Sequence, residues 1–366
     1  MEFYPSLTIN RCHLERLCEI WAMRRKGDGF PFPCAIVSPL FARNGIIERL
    51  YANREQCKVI FDSGGFHIQQ GRLDLLSASR RLRSAYQEHS WADRFALPDA
   101  PITSLDSRGA IKQKLASTRR QYRIFPAGLS GALRPKLLPV VHGTTPEEVC
   151  WSALAARSVG SKSLGFGGFA TSGPNSGVNS FTPGSLQLLI QFAVRCAEWK
   201  LDNHVFGIGG PAAIVVLHYA GVTTFDSAGW IRTAAYGNVY LPFLGAVNIT
   251  GGAVSRRCVT RREFSKLCKT SGHACVFCAD VSMLMRSWPH RALHNYCTIA
   301  HTTRELDGMP PELAIEKLRA FNPRFAGYLE LVLAERARLL RTRASRGSAA
   351  ALRKPAAERE SRPRPR

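Results

Sequence analysis

The chain has 366 residues, with 50 Lys or Arg against 27 Asp or Glu and a formal net charge of +23. With 45% hydrophobic and 21% charged residues it can bury a substantial core, which excludes collagenous and wholly disordered proteins. No uncharged apolar run reaches the roughly 18 residues that span a bilayer, and the N-terminal segment lacks the apolar stretch of a signal peptide. We therefore expect a soluble, cytoplasmic protein without membrane contact.

The positive charge is unevenly distributed. Residues 336–366 carry eleven Lys or Arg and two Glu, a net +9, whereas residues 1–335 carry 39 Lys or Arg and 25 Asp or Glu, a net +14. Such a charge favours polyanions, above all nucleic acid, because each neutralised phosphate releases condensed counterions. Residues 336–366 also lose apolar periodicity and are rich in Pro, Ala and Arg, which predicts a disordered basic tail.

Seven short β-rich runs, each with Gly, Asp or Pro at or next to its end, recur along the chain. They occupy residues 34–40, 58–65, 93–99, 137–143, 162–168, 204–210 and 223–229. Helical patterns lie between several of them, as in 185–201 and 211–221, where apolar residues repeat at i, i+3 and i+4. Strands that alternate with helices predict a parallel sheet in an α/β protein.

Seven strands with room for an eighth favour a closed (β/α)8 TIM barrel, whose typical size of about 250 residues leaves length for an insertion. We expect the barrel and its insertion within residues 1–335, followed by the tail of 336–366. A doubly wound open sheet is the main alternative, but no GxGxxG motif follows the first strand to support a dinucleotide site.

Three acidic residues stand at or near the ends of predicted strands. They are Asp62 in IFDSGGF, Asp99 in FALPDAP and Asp226 in TTFDSAGW. Taken singly, each suits a turn or a helix N-cap. A barrel, however, converges its strand ends on one mouth, where two carboxylates can perform retaining glycosyl transfer and a third can accept from a purine N–H edge. By contrast, His204 lies in an apolar context and is assigned to packing or to a satisfied polar group.

A cluster of cysteine and histidine residues predicts a metal site. The segment 273–301 contains His273, Cys275, Cys278, His290, His294, Cys297 and His301. Two thiolates in a CxxC turn, joined by ligands from a later helix, suit tetrahedral Zn²⁺. Four protein ligands would make the zinc structural, within a subdomain of about 258–301. Spacing leaves the remaining ligands open, because Cys297 and His301 would also serve.

Together these motifs resemble the tRNA-guanine transglycosylase family, zinc-bearing barrel enzymes that exchange guanine for a 7-deazaguanine. DSGGF (62–66) is similar to that family's DSGGFQ, with His67 in place of Gln, and residues 92–99 are similar to its AD-x5-D segment. The runs VVHG (140–143), GGFATSG (167–173) and FGIGGP (206–211) resemble its IVQG, GGLAVGE and LGVGTP motifs. The likeness covers roughly residues 34–300.

The resemblance assigns chemical roles to the acids. It implies that Asp226 is the nucleophile that captures the sugar C1′. Asp62 would be the general acid/base that protonates the leaving guanine and deprotonates the incoming base, and Asp99 would recognise the purine N–H edge. Since the family's CxCxxC and LHN become HxCxxC and LHN here, the likeness favours His273, Cys275, Cys278 and His294 as zinc ligands.

The resemblance also implies a base-binding loop and an altered substrate. Gly168, Phe169 and Ala170 would offer backbone groups to the base, and His142 stands where the family has a base-reading Gln. The Glu of GGLAVGE becomes Gly173, which removes a carboxylate that would meet an aminomethyl ammonium. A neutral 7-substituent such as a nitrile is therefore expected.

With the high charge, these departures make the chain similar to the DNA-guanine transglycosylases of 7-deazapurine DNA-modification systems. The expected activity is replacement of guanine in DNA by 7-cyano-7-deazaguanine through a covalent Asp–sugar intermediate. Expected partners are DNA, the 7-deazaguanine base and other proteins of such a system. The alternatives are a tRNA-guanine transglycosylase and a catalytically inactive accessory protein that binds nucleic acid.

Overall fold

The protein alternates strands with helices in a computed structural model, which describes residues 1–26, 29–42, 45–168, 181–251 and 257–352, with side chains to 342. The strands are β1 (Glu2–Pro5), β2 (Cys34–Val37), β3 (Lys58–Phe61), β4 (Arg94–Ala96), β5 (Leu137–Leu138), β6 (Val140–Val141), β7 (Ser163–Phe166), β8 (Asp202–Val205), β9 (Thr224–Ser227), β10 (Asn238–Leu241) and β11 (Gly245–Asn248). Six of the seven predicted runs contain their strands, and β8 begins two residues before its run of 204–210. The strands β1, β10 and β11 lie outside the predicted runs.

Fourteen α-helices occupy the described part of the chain. They are α1 (Arg11–Arg25), α2 (Ile46–Ala52), α3 (Gly65–Gln69), α4 (Leu75–Glu88), α5 (Arg108–Ala127), α6 (Pro146–Arg157), α7 (Pro183–Glu198), α8 (Pro211–Ala220), α9 (Gly229–Ala235), α10 (Arg261–Thr270), α11 (Val281–Arg286), α12 (Trp288–Leu306), α13 (Pro311–Phe321) and α14 (Pro323–Leu352). None of these helices is both long and apolar enough to cross a membrane. The two helical patterns singled out in the sequence correspond to α7 and α8.

The strands form two parallel sheets and one hairpin. One sheet has the order β1-β9-β8-β7-β6, the other has the order β2-β3-β4-β5, and β10 pairs with β11 antiparallel. The sheets adjoin at two places. A parallel bridge joins Ser6 to Ile36, and β5 and β6 are consecutive pieces of chain separated only by Pro139. The architecture is therefore α/β with parallel strands, as predicted.

Strand residues alternate between two apolar clusters, as expected for parallel strands covered on both faces. In β3, Val59 and Phe61 belong to the main core with the surrounding helices. Ile60 instead joins a small cluster with Tyr4, Ile36 and Leu138, which come from strands of both sheets. The strands β1, β2, β3 and β5 thus contribute to an apolar cluster separate from the main core, and polar groups follow at several strand ends.

The end of the chain corrects one prediction. We expected disorder from residue 336, but α14 continues to Leu352. Its first half packs on α7 and α8, where Val332 and Leu339 are buried and the Arg336 guanidinium donates to the Tyr219 carbonyl at 3.0 Å. These tertiary contacts stabilise a helix that composition alone did not predict. The prediction is wrong for residues 336–352, and residues 353–366 lie outside the described chain.

Candidate active site and metal cluster

A cavity of about 930 Å³ opens at the carboxyl ends of the parallel strands. Asp62 enters it directly after β3, Asp99 shortly after β4, His142 directly after β6, and Asp226 from within β9. The carboxyl ends of parallel strands meet at one edge, so acids that are far apart in the chain are brought together. The structure therefore brings the three acids of the sequence analysis, and His142, around one cavity.

The Asp62 carboxyl has a pKa close to neutral pH. Burial, with the negative charge of Asp226 second, raises the pKa of the Asp62 carboxyl from 3.8 to about 7. The Gly64 backbone N–H donates to its Oδ2 at 3.0 Å and partly opposes that rise. Gly64 has φ +75°, and a Cβ there would lie 2.9 Å from the Phe41 ring, so glycine is required for this turn. A carboxyl with such a pKa can both give and accept a proton.

Asp226 occupies a different environment, in which hydrogen-bond donors surround the carboxylate. The Gly207 backbone N–H donates to Oδ1 at 2.9 Å, and Nε2 of His204 lies 3.2 Å from the same oxygen. His204 is fully buried, and burial lowers the pKa of its imidazole. The sequence predicted packing or a satisfied polar group for His204 but not its contact with Asp226, which the structure shows. Its spacing of two residues before the FGIGG run is the only signal that could have found it.

Asp99 pairs with His142 beneath the cavity. His142 Nε2 lies 2.7 Å from Asp99 Oδ2, and the Ser63 hydroxyl donates to Oδ1 at 2.9 Å. All three side chains are buried. Within the described residues, His142 Nδ1 has no hydrogen-bond partner although it is buried. The pairing orients the imidazole and leaves one polar ring atom for which the protein supplies no partner.

Glycines bring backbone close to this pair. A Cβ on Gly167 would lie 2.5 Å from His142 Cε1, and a Cβ on Gly65 would lie 3.0 Å from Asp99 Oδ1. In the described part of the chain, Gly167 lines the cavity and Gly168 does not. Gly168 instead lies against the Phe166 ring. Phe169 and Ala170, also predicted to contact the base, lie outside the described residues.

Aromatic and basic side chains surround the cavity mouth. His67 stacks on Phe41 with ring centroids 3.6 Å apart. Across the cavity, Arg232 and the 75% exposed Tyr236 project from α9 and its end, one helical turn apart. Phe206 also lines the cavity and packs edge-on against His204 at 4.5 Å. The mouth thus offers planar surfaces and a cation in addition to the acids.

The predicted metal ligands form one cluster. His273, Cys275, Cys278 and His294 each offer one atom, and these atoms lie within 4.8 Å of one another. The three residues of HxCxxC lie in the turn between α10 and α11, and His294 reaches them from α12. His294 Nδ1 is 3.5 Å from the Cys275 sulfur and 3.4 Å from the Cys278 sulfur. This set of two thiols and two imidazoles can hold a metal such as zinc.

Neighbouring groups orient the cluster. His294 Nε2 lies 2.9 Å from the Tyr240 carbonyl, so this nitrogen carries the proton and Nδ1 is free to bind metal. His301 Nδ1 lies 3.2 Å from His273 Nδ1, and Cys297 contacts Cys275. The two alternative ligands of the sequence analysis therefore adjoin the four-residue cluster. Cys268, which the sequence analysis left out, is in hydrogen-bond contact with Cys278.

No protein-family model matches this chain, and none of the curated proteins compared with it matches. The geometry of the cavity and of the metal cluster therefore carries the functional argument.

Proposed function

We propose that this protein is a base-exchange transglycosylase that replaces guanine in DNA with a 7-deazaguanine. The single observation that carries the proposal is that Asp62 and Asp226 line one cavity in different environments. Asp62 has a pKa near 7, and Asp226 accepts from Gly207 and contacts His204. Two carboxyl groups in one cavity, one to attack and one to transfer a proton, are what a double displacement at a sugar carbon requires.

The proposed scaffold is a closed (β/α)8 barrel. The segment 137–141 supports this, because its first part pairs with β4 and its second part with β7. The bridge between Ser6 and Ile36 supports closure on the other side, between β1 and β2. Counting β5 and β6 as one interrupted strand, eight parallel strands follow one another in a ring. The cavity then occupies the face on which such barrels carry their active sites.

The reaction proceeds in two displacements. The Asp226 carboxylate attacks C1′ of the target nucleotide, the glycosidic C–N bond breaks, and the departing guanine takes the bond electrons and a proton from Asp62. The incoming 7-deazaguanine then gives its ring N–H proton to Asp62, and its nitrogen attacks C1′. The C1′–Asp226 bond breaks and restores the carboxylate. Atoms and charges balance, and the DNA retains its configuration.

Base recognition is proposed for Asp99, His142 and the backbone at Gly167. A carboxylate accepts from purine N–H groups, and each Asp99 oxygen keeps a further lone pair beyond its bond to Ser63 or His142. The unpartnered Nδ1 of His142 supplies one additional polar contact once the pocket adapts to a base. Since Gly173 stands where the resembling family has Glu, a neutral 7-cyano group is the proposed substituent.

The target nucleotide must leave its stack to reach this cavity, which costs a few kcal/mol. The net charge of +23 supports a polynucleotide substrate, because basic groups hold flanking phosphates. Arg232 and Tyr236 at the mouth suit a phosphate and a base, respectively. Zn²⁺ in the cluster of His273, Cys275, Cys278 and His294 would be structural, since four protein ligands leave no open position.

The test is base exchange by the Asp226→Asn variant. The protein is incubated with labelled guanine and either DNA or tRNA, and both nucleic acid and denatured protein are assayed for label and for covalent adduct. We expect exchange into DNA and loss of adduct and exchange in Asp226→Asn. Asp202→Asn is the matched control, because Asp202 lies on β8, is exposed and pairs with Arg94.

Retention of exchange by Asp226→Asn would remove Asp226 from the nucleophilic role. Exchange into tRNA but not into DNA would favour the tRNA enzyme instead. If wild-type protein binds DNA and exchanges into neither substrate, the chain is an accessory protein that binds nucleic acid.

A further inference from the structure

A basic surface lies on α5 and the chain that follows it to the end of α6. Residues 108–157 carry nine Lys or Arg and two Glu, a net charge of +7 within 50 residues. Helix α5 alone holds six of these cations and no acidic residue. A charge of one sign over such a short stretch creates a local positive potential that extends beyond single contacts.

Three of the α5 cations share one face of the helix. Lys112, Arg119 and Arg123 are separated by seven and four residues, which places them within about 40° of one another around the axis. Lys112 and Arg123 are exposed, and Arg119 is half-buried beside α6. We name these three residues the α5 stripe. Their alignment gives three positive charges at intervals along about 16 Å of helix.

The α5 stripe is not neutralised by neighbouring acids. Arg108 at the start of α5 pairs with Glu148 at 3.0 Å, and Lys114 pairs with Asp106 at 2.7 Å. Among the described residues, no such ion pair involves a member of the α5 stripe. The local acids are therefore used by other cations, and the stripe keeps its charge available to a partner.

An exposed tryptophan lies beside the α5 stripe. Trp151 on α6 is 67% exposed, and the Arg119 guanidinium lies over its ring at 5.7 Å from the centroid. Leu154, one turn further along α6, is 54% exposed. A large exposed indole is unusual on a protein surface, since it keeps apolar area in water. Next to unpaired cations it combines a stacking surface with phosphate ligands.

We propose that the α5 stripe and Trp151 form an outer DNA-binding site. Lys112, Arg119 and Arg123 would contact phosphates, and Trp151 would stack on an unpaired base. Cations and exposed aromatics are the combination that binds single-stranded nucleic acid without reading its sequence. None of these four residues is among the described residues that line the cavity. The choice of DNA as the polyanion rests on the proposed function.

This outer site would lengthen the stretch of DNA that the protein contacts, without taking part in base exchange. A strand that occupies the cavity and the α5 stripe together gains affinity by effective concentration, whereas an oligonucleotide too short to span both gains none. Binding of long single strands should therefore depend on the α5 stripe, and base exchange in short ones should not.

The test compares a triple variant, Lys112→Gln with Arg119→Gln and Arg123→Gln, against wild type. Affinities for 8-nucleotide and 40-nucleotide single-stranded DNA are measured over a salt series. For the long strand we expect the affinity to fall about tenfold or more, and the slope of log affinity against log salt to fall in magnitude by about 2, for three lost phosphate contacts. Trp151→Ala should weaken long-strand binding by roughly tenfold with the salt slope unchanged.

The matched control removes the same charge elsewhere. Arg262→Gln, Lys266→Gln and Lys269→Gln change three exposed cations on α10. An equal loss of long-strand affinity in this control would overturn the proposal, because net charge alone would then explain the effect. An unchanged affinity and slope in the α5 triple variant would also overturn it.

A negatively charged protein is the competing occupant. The probe for this occupant is polyglutamate. The assignment to nucleic acid would be wrong if the α5 triple variant bound polyglutamate more weakly than wild type but bound long DNA equally well. Displacement of long DNA from wild type by polyglutamate would accompany that result. Failure of the proposed function is separable from these outcomes. Absence of base exchange in wild-type protein, with DNA binding that still depends on the α5 stripe, would reject the enzyme activity and leave the outer site standing.

Discussion

His204 Nε2 lies 3.2 Å from Asp226 Oδ1, and the His204 side chain is fully buried. On its other side, Nδ1 lies 2.9 Å from the Thr224 hydroxyl, which is also 3.0 Å from the Asn203 carbonyl. Burial lowers the pKa of His204, so the ring carries one proton. The ring thus bridges the Thr224 hydroxyl and the Asp226 carboxyl. In the proposed reaction His204 is a positioning residue for Asp226.

Replacement of His204 by Phe should preserve ring packing and remove the contact to Asp226. A hydrogen bond to a charged group contributes about 1.5–3 kcal/mol, so kcat for base exchange should fall by about tenfold to a hundredfold. KM should change little, because the base pocket is untouched. His204→Gln should recover part of kcat through its amide N–H. The control is His218→Phe on α8; an equal loss there would indicate a general packing effect.

The raised pKa of Asp62 predicts how stability varies with pH. The pKa is about 7 in the folded protein against 3.8 as a free side chain, so the folded state binds the proton more tightly. Stability therefore decreases as pH rises from about 4 to about 7. Asp62→Asn, which stays neutral, should increase the free energy of unfolding by up to about 4 kcal/mol at pH 8 and by little at pH 4.

Thermal melts at the two pH values check this, with Asp202→Asn as the exposed control. The same Asp62→Asn variant should lose base exchange, because the proton donor is absent. Equal Tm changes at pH 4 and pH 8 would show that the Asp62 carboxyl does not titrate in this range.

Gly167→Ala tests the position of His142. The added Cβ would lie 2.5 Å from His142 Cε1 and 3.1 Å from the Nε2 that contacts Asp99, so the imidazole must shift and this contact is disturbed. We expect weaker binding of the free 7-deazaguanine base, by about tenfold, with a folded protein of near-normal Tm. Gly131→Ala is the control, since a Cβ there meets nothing within 4 Å. Unchanged base affinity, measured by calorimetry, would place base recognition away from His142.

Removal of the metal tests the Cys/His cluster. Wild-type protein should contain one tightly bound Zn²⁺ per chain, and Cys278→Ser should lower both the zinc content and the Tm, because a structural metal stabilises only the folded state. Cys258→Ser is the matched control, since Cys258 is exposed and lies outside the cluster. Metal analysis and thermal unfolding with and without a chelator measure the effect. A metal-free wild type with an unchanged Tm would contradict the assignment.

The amino-acid pattern alone was sufficient to locate the strands and the residues at their ends. Short apolar runs closed by Gly, Asp or Pro report local preferences that hold in any parallel sheet, so Asp62, Asp99 and Asp226 could be selected before any coordinates. HxCxxC marked the metal cluster because it is a local motif whose turn brings its donors together, whereas spacing left open which residues of the later helix complete the set.

Only the tertiary structure decided what these residues contact. The pairing of His142 with Asp99 spans 43 residues, and that of His204 with Asp226 spans 22. The pKa of Asp62 is raised by burial and by the charge of Asp226, and both come from parts of the chain distant from Asp62 in sequence. Likewise, α14 is stabilised by α7 and α8, so composition predicted disorder where the chain is helical to Leu352. Element type follows from neighbours in sequence, whereas protonation, orientation and burial follow from neighbours in space.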